Sequence, residues 1–460
     1  MELFLPVTAL RTAVTSLPAG VTPTSPQSLR DEFADPALDL WAGFDGCPDR
    51  FNIVHECLDR HYDRGIAICL QHRDGRSESL RFDELADDSA RFAHWLTGQG
   101  RVQGDQVAIL ASPSRAFYVA LFGALRAGLT VCPVTPGIGL EALRALRAVW
   151  ANTPPHLVLT AAPAENVAVD VMPSPEPSSG LRVRALDGAF WRELEAQPRV
   201  FDMGTCANSV AFRSLSQTPG SPLSEFSLES HGDLVGQMAA GRYGLGLEPG
   251  DRFFSVLAST HPRDLLLHTL VPLAMGVQVC HSSAVPDAQS LLAALEAFQI
   301  NNLFASPEVF RSLRASGQTH RYRLGLRKLS FSGPGMDLVT AAWIEQVFGV
   351  APACLYGSPD HGIVLVQFPG FEGHEIRPMA LGKPMPGRGV AILNQRGRER
   401  TPFVSGEIAL WVRGAWVALG DRGWCDGDGY FYRDAQSADR LILPPPPSLG
   451  CRVWGLASGA

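Results

Sequence analysis

Gly104-Asp105-Gln106-Val107-Ala108-Ile109-Leu110 and Leu129-Thr130-Val131-Cys132-Pro133-Val134 are the two stretches that decide the fold. Gly104-Asp105 is a turn, and Val107 to Leu110 reads as a buried strand. A helix is expected from about Ala116 to Ala127, and Leu129 to Val134 reads as the next strand. Strand, helix and strand in this rhythm imply a parallel sheet with right-handed crossovers.

The same rhythm extends in both directions. Upstream, Phe51-Asn52-Ile53-Val54 leads into the helix-like stretch Leu58-Asp59-Arg60-His61. Ile66 to Leu70 and Leu80-Arg81-Phe82 read as strands. Asp83 is expected to cap a helix that carries Leu85, Ser89, Phe92, Ala93 and Leu96 on one face. Downstream, residues 163–180 are rich in Pro and Ser and read as a surface loop. Strands are then expected at Ser209–Phe212, Phe253–Leu257, Val277–Cys280, Asn302–Phe304 and Leu329–Ser332, with helices at about Leu265–Leu273 and Ala288–Phe298. Past residue 375 glycines and short strands dominate, as in Val390–Leu393 and Gly406–Trp411, which suggests a small β-subdomain. Pro444 to Pro447 is a rigid breaker. The expected division is a lead-in over 1–50, α/β subdomains over 51–200 and 201–375, a β-subdomain over 376–443, and a linker-like remnant over 444–460.

Composition narrows the function classes. The chain has 460 residues, 46% of them hydrophobic, which is globular and too long for a single core. A net charge of -7 argues against a nucleic-acid partner, because phosphate binding needs clustered cations. No apolar run is long enough to span a bilayer. The start, Met1-Glu2-Leu3-Phe4-Leu5-Pro6, lacks the basic region of a secretory signal, so cytoplasm is the default expectation. The cysteines are scattered without CxxC spacing and read as reduced thiols rather than zinc ligands or disulfides. Lysine occurs only as Lys328 and Lys383, so any step that needs a lysine has two candidates.

Several segments, in order, resemble the acyl-adenylate-forming (AMP-dependent synthetase/ligase) superfamily, in its acetyl-CoA and medium-chain acyl-CoA synthetase branch. Phe51 to His61 looks like that branch's N-terminal signature, and Gly104 to Ile109 is similar to its "GD-x-V-A-I" entry. Leu355-Tyr356-Gly357-Ser358 resembles the adenine-site "YGxTE". Leu381 to Gly387 matches "GxPxPG". Gly406-Glu407-Ile408, Gly420-Asp421 and Asp428-Gly429-Tyr430 fit the series "GEI … TGD … DGY". Each motif is weak alone, and the ordered set is specific. The resemblance runs from about Phe51 to Arg452. It implies the large N-terminal α/β domain of that fold: two α/β subdomains with largely parallel sheets plus a small β-subdomain. Beyond Gly450-Cys451-Arg452-Val453, which resembles the opening of the small C-terminal domain, the expectation is that this domain, with its carboxylate-polarising lysine, is absent.

The resemblance also implies roles for particular residues. Such enzymes join a carboxylate to AMP and release pyrophosphate, so the site must neutralise two anions with a Gly/Ser/Thr loop, magnesium and cationic side chains. The loop that normally reads "SGTTGxPKG" falls on Phe212 to Ser224. Arg213, Ser214, Ser216, Thr218 and Gly220 remain able to contact phosphate. Leu215 replaces a glycine, Pro219 removes a donor, and Leu223 stands where the lysine belongs. Asp360 falls at the magnesium glutamate. Gly333, Pro334, Tyr356, Gly357, Ser358 and Asp421 are the nucleotide-binding candidates, with Tyr356 against adenine and Asp421 on the ribose hydroxyls. Gly357, where strict acetate enzymes carry tryptophan, implies a longer acyl pocket suited to a medium-chain or aromatic acid. Asp439 matches the hinge, and Ser437 replaces the phosphate-facing arginine. His231 reads as structural.

Three readings follow. In the first, the chain is a degenerate synthetase that binds a carboxylate, an acyl-adenylate or a protein partner, with ATP, AMP and Mg2+ implied only by the resemblance. The second is an active acyl-adenylating ligase whose small domain is supplied in trans. The third is an assembly subunit that uses the surface where the small domain would pack.

Overall fold

The computed structural model describes residues 41–72, 75–134, 146, 148, 150, 153–160, 182–215, 226–256, 261–282, 286–333, 335–358, 361–412 and 414–434. These group into two compact units. The early unit comprises Phe44–Gln237 and Ser255–Pro286, and the late unit Met238–Phe254 and the residues from Asp287 on.

The early unit holds β1 (Ile66–Gln71), β2 (Ser77–Arg81), β3 (Gln106–Leu110), β4 (Thr130–Val134), β5 (Leu157–Thr160), β6 (Arg182–Ala185), β7 (Val210–Leu215) and β8 (Phe226–Ser230). With β9 (Arg252–Ser255) lying almost wholly in the late unit, β10 (Gln278–Ser282) completes the early unit's strands. One of its sheets has the order β6-β5-β3-β4-β7-β8. The deciding stretch behaves as read: β3 pairs β4 in parallel, Val107 opposite Val131, joined through the helix Arg115–Arg126. In the other group β10 and β1 pair in parallel and β1 and β2 antiparallel.

Helix Phe82–Gly98 buries Leu85, Ser89, Phe92, Ala93 and Leu96, the face expected from its spacing. Its cap is a correction. Phe82 is helical rather than strand, and Asp83 sits inside the first turn, where it accepts from the Arg81 guanidinium at 2.9 Å. The backbone amide of Arg81 is satisfied instead by Glu84 Oε2 at 3.2 Å. The anticipated helix over Leu265–Leu273 is irregular, with a π segment at Leu266–Leu270 between α-helical turns.

The Phe51–His61 signature ties the early unit together. Asn52 Oδ1 caps the following helix through Val54 N at 2.9 Å, while its Nδ2 donates to Leu125 O and Thr205 Oγ1. Buried Glu56 accepts from Gly46 N and from Arg60, both at 2.8 Å. Arg126, 4% exposed, donates to both oxygens of Asp59 and through Nε to Ser89 Oγ. That hydroxyl explains the small residue on an otherwise apolar face.

The late unit continues with β11 (Asn302–Ala305), β12 (Lys328–Phe331), β13 (Ala353–Ser358), β14 (Gly362–Val366), β15 (Ala380–Pro384), β16 (Val390–Leu393), β17 (Gly406–Val412), β18 (Ala415–Cys425) and β19 (Phe431–Arg433). They lie in the order β16-β17-β18-β19-β15-β14-β13-β12-β11-β9. β11, β12 and β13 pair in parallel. From β14 on the strands pair antiparallel, so the short strands past residue 375 extend one hydrogen-bonded order.

The "GxPxPG" motif has a backbone reason. Gly382 sits at φ +116°, and a Cβ there would lie 2.3 Å from Val366 O. An L side chain meets strain and a clash together. Gly382→Ala is expected to lower stability by about 2 kcal/mol or more, read as a shifted urea midpoint at unchanged slope. An unshifted midpoint would mean that β14 and β15 can part at no cost.

Candidate functional site

β13 and β18 supply the centre of the late unit's site. Tyr356 on β13 is 6% exposed, and its hydroxyl donates to Asp421 Oδ2 at 3.0 Å. Burial raises the tyrosine pKa, and the Asp421 charge raises it further, so the phenol keeps its proton and remains a donor. Two residues paired from sequence as adenine and ribose contacts are thus in direct contact.

A third member was not anticipated. Arg433 Nη2 donates to the same Asp421 oxygen at 2.9 Å, and its guanidinium carbon lies 5.6 Å from the centre of the Tyr356 ring. The register explains this. β18 and β19 pair with Gly423 opposite Arg433, so Asp421 is Arg433's diagonal neighbour on the same face, within reach of a long side chain. Gly423 presents no side chain between them. Asp421 Oδ1 has no hydrogen-bond partner among the described residues. No local motif marks Arg433; only the strand register could have revealed it.

The other candidates are placed as follows. Gly333 follows β12 at φ +122°, a conformation that favours glycine. Gly357 lies at an irregularity in the β13–β14 register, and a Cβ on it would fall 2.1 Å from Gly362 O. The absent side chain therefore opens no space in that direction. Ser358 ends β13, opposite Gly362. Pro334, Asp360 and Asp439 lie outside the described residues, as do Ser216, Thr218 and Gly220.

Arg213 and Ser214 belong to the early unit, and they are strand residues. They pair with Leu228 and Ser227 across the β7–β8 hairpin. Arg213 donates to Gln106 Oε1 at 2.6 Å and to Thr153 Oγ1 at 3.2 Å. Ser214 Oγ is buried without a partner among the described residues. His231 is fully buried; its Nδ1 accepts from Ile53 N at 3.1 Å, and burial pushes its pKa down to about 3. It is a structural histidine held neutral.

Lys328 is committed, and Lys383 packs against an aromatic ring. Buried Lys328 directs Nζ to Gly246 O at 2.7 Å, Asp251 Oδ2 at 2.9 Å and Glu248 Oε2 at 3.1 Å, which uses all three ammonium donors. Lys383 Nζ lies 4.5 Å from the centre of the Tyr430 ring, and Arg377 lies 4.3 Å from the same ring. Among the described residues no group of three or more His, Cys, Asp or Glu could hold a metal ion, and no helix is long and apolar enough to cross a membrane. The late unit also has an apolar depression of about 210 Å³, walled by Phe331, Met336, Leu338, Ala341 and Met379 among others; none of the nucleotide-site candidates lines it.

The model of the AMP-binding enzyme family matches residues 55–202 and 229–420. The chain belongs to that family. It is 23% identical over 433 residues to the acetyl-coenzyme A synthetase of Bacillus subtilis (strain 168), a match that covers 85% of this chain and 74% of that one. Among solved structures, an acyl-CoA synthetase of Brucella canis superposes with a TM-score of 0.76 at 22% identity, covering 88% of this chain and 78% of the other. The anthranilate CoA ligase AuaEII in complex with anthranoyl-AMP superposes with a TM-score of 0.69 at 18% identity, covering 86% and 78%. The chain is therefore an AMP-forming acyl-CoA synthetase-like protein with the large α/β domain of that fold, as the ordered motifs implied. The family match breaks off at 202 and resumes at 229, and the stretch between contains Phe212 to Ser224, where the resemblance put the phosphate loop.

Proposed function

We propose that adenylate formation is impaired in this chain and that the nucleoside end of the site, at Tyr356 and Asp421, survives as a ligand-binding site for AMP or an acyl-adenylate. The observation that carries this reading is the commitment of Lys328 and Arg213. The family's reaction brings a triphosphate and a carboxylate together, so it depends on fixed positive charge that is free to meet them. Lys328 spends its three donors on Gly246, Glu248 and Asp251. Lys383 lies on Tyr430, and Arg213 is held by Gln106 and Thr153. Leu223 occupies the loop-lysine position. Each missing charge-assisted contact removes about 1.5–3 kcal/mol, and two such losses lower a rate by about a hundredfold or more. Asp421, by contrast, keeps Oδ1 without a hydrogen-bond partner among the described residues, a place for a ribose diol.

Calorimetric titration with AMP and with ATP, each with Mg2+, combined with a pyrophosphate-release assay, tests the reading. The expected result is that ATP binds no more than about threefold tighter than AMP and that no pyrophosphate forms with medium-chain or aromatic acids. ATP at least tenfold tighter than AMP, with pyrophosphate released, would establish an active ligase instead and sink the proposal.

A further inference from the structure

Resting on this assignment of Tyr356 and Asp421, we infer that Arg433 is a built-in occupant of the nucleoside position, which a nucleotide must displace before it binds. A bound nucleoside makes two kinds of contact here: a flat base against the tyrosine ring and hydroxyl donors to the carboxylate. Arg433 makes both. Its planar guanidinium lies over the Tyr356 ring, 5.6 Å from the centre, within the range of a cation–π contact. Its Nη2 donates to Asp421 at 2.9 Å. With Tyr356 only 6% exposed, a base cannot stack on that ring until something covering it moves, and the Arg433 side chain is one such cover.

The seat is also imperfect. Arg433 Nε is buried with no hydrogen-bond partner among the described residues, whereas buried donors are usually satisfied. Leaving the seat returns Nε to water, and this favours exchange with an incoming ligand. The backbone need not follow, since Asp434 N donates to Arg422 O at 3.0 Å and pins the end of β19. The motion is one of side-chain rotamers.

The test measures AMP affinity by calorimetry in the full chain and in Arg433→Met, which keeps the apolar stem and removes the guanidinium. Arg433→Met is expected to bind AMP at least about tenfold tighter than wild type, and Asp421→Ala added to it is expected to abolish the gain. Thermal melting verifies folding. Should the Met variant not fold, Arg433→Lys carries the test, because a compact ammonium covers the ring less completely and is expected to bind AMP severalfold tighter than wild type. Equal affinity in wild type and variant overturns the occupancy while leaving the nucleoside site intact. Weaker affinity in the variant makes Arg433 a ligand contact and overturns it equally. If neither protein binds an adenine nucleotide, the assignment of the site falls and this inference falls with it.

Discussion

Lowering the pH from 7.5 to 5 is expected to destabilise the early unit severely, because four of its histidines are held in the neutral form by desolvation. Burial pushes His231 and His268 down to about 3, and His261 and His281 down to about 4. In the unfolded chain each returns to about 6.5. Between those values the unfolded state binds more protons than the folded state, so stability rises with pH. The contribution is complete above the unfolded pKa and is lost as the pH falls from about 6.5 toward 4 and then 3. At pH 5 each histidine costs about 2 kcal/mol. Four together approach the whole stability of a domain, about 5–15 kcal/mol. His55 works in the opposite direction. Its pKa is raised, chiefly by Asp59 and also by Asp45, so its contribution is present below about 6.5 and lost above its folded value. One half-buried group with a raised pKa does not offset four with lowered ones. The urea midpoint, followed by circular dichroism, should fall steeply between pH 6.5 and 5, and His231→Gln should flatten that slope. A midpoint independent of pH over this range would contradict the neutral, buried assignment.

Lys328→Met is expected to cost about 3–5 kcal/mol, because it leaves Asp251 buried without its principal cation. Asp251 is 3% exposed. Apart from Lys328 at 2.9 Å it has Glu248 N at 3.1 Å, Asn302 Nδ2 at 3.4 Å and Arg327 at 3.8 Å. The carbonyl of Gly246 loses its 2.7 Å donor as well. Removing both charges in Lys328→Met/Asp251→Asn should recover much of the loss, so a double-mutant cycle of denaturation midpoints reads the coupling directly. A single-variant loss under about 1 kcal/mol would mean that the ion pair behaves as if solvated. The outcome bears on function, since the same commitment removes Lys328 from the chemistry of the site.

The parallel core was legible because its signal is local. Val107–Leu110 and Leu129–Val134, with an apolar helix between, leave few arrangements besides a right-handed crossover, and β3 and β4 pair accordingly. The face of the Phe82–Gly98 helix was legible for the same reason. Its cap was not, since Asp83 suits a cap chemically, but the helix starts two residues earlier than that cap would set and Glu84 reaches back to Arg81. In the candidate site, Tyr356 and Asp421 stood out through motifs that name them separately; their 3.0 Å contact depends on strands far apart in sequence.

By itself, then, the sequence determined the α/β class, the strand–helix order, the family and the scarcity of lysine, all of which are carried by residue identity and short-range periodicity. The tertiary structure alone decided what those identities do. Strand register put Arg433 diagonal to Asp421, and burial kept His231 neutral. The approach of Gly246, Glu248 and Asp251 closed off Lys328. The physical reason is common to all three: a charge or donor is spent by whatever the fold brings within about 3 Å of it, and spacing along the chain does not encode that neighbour.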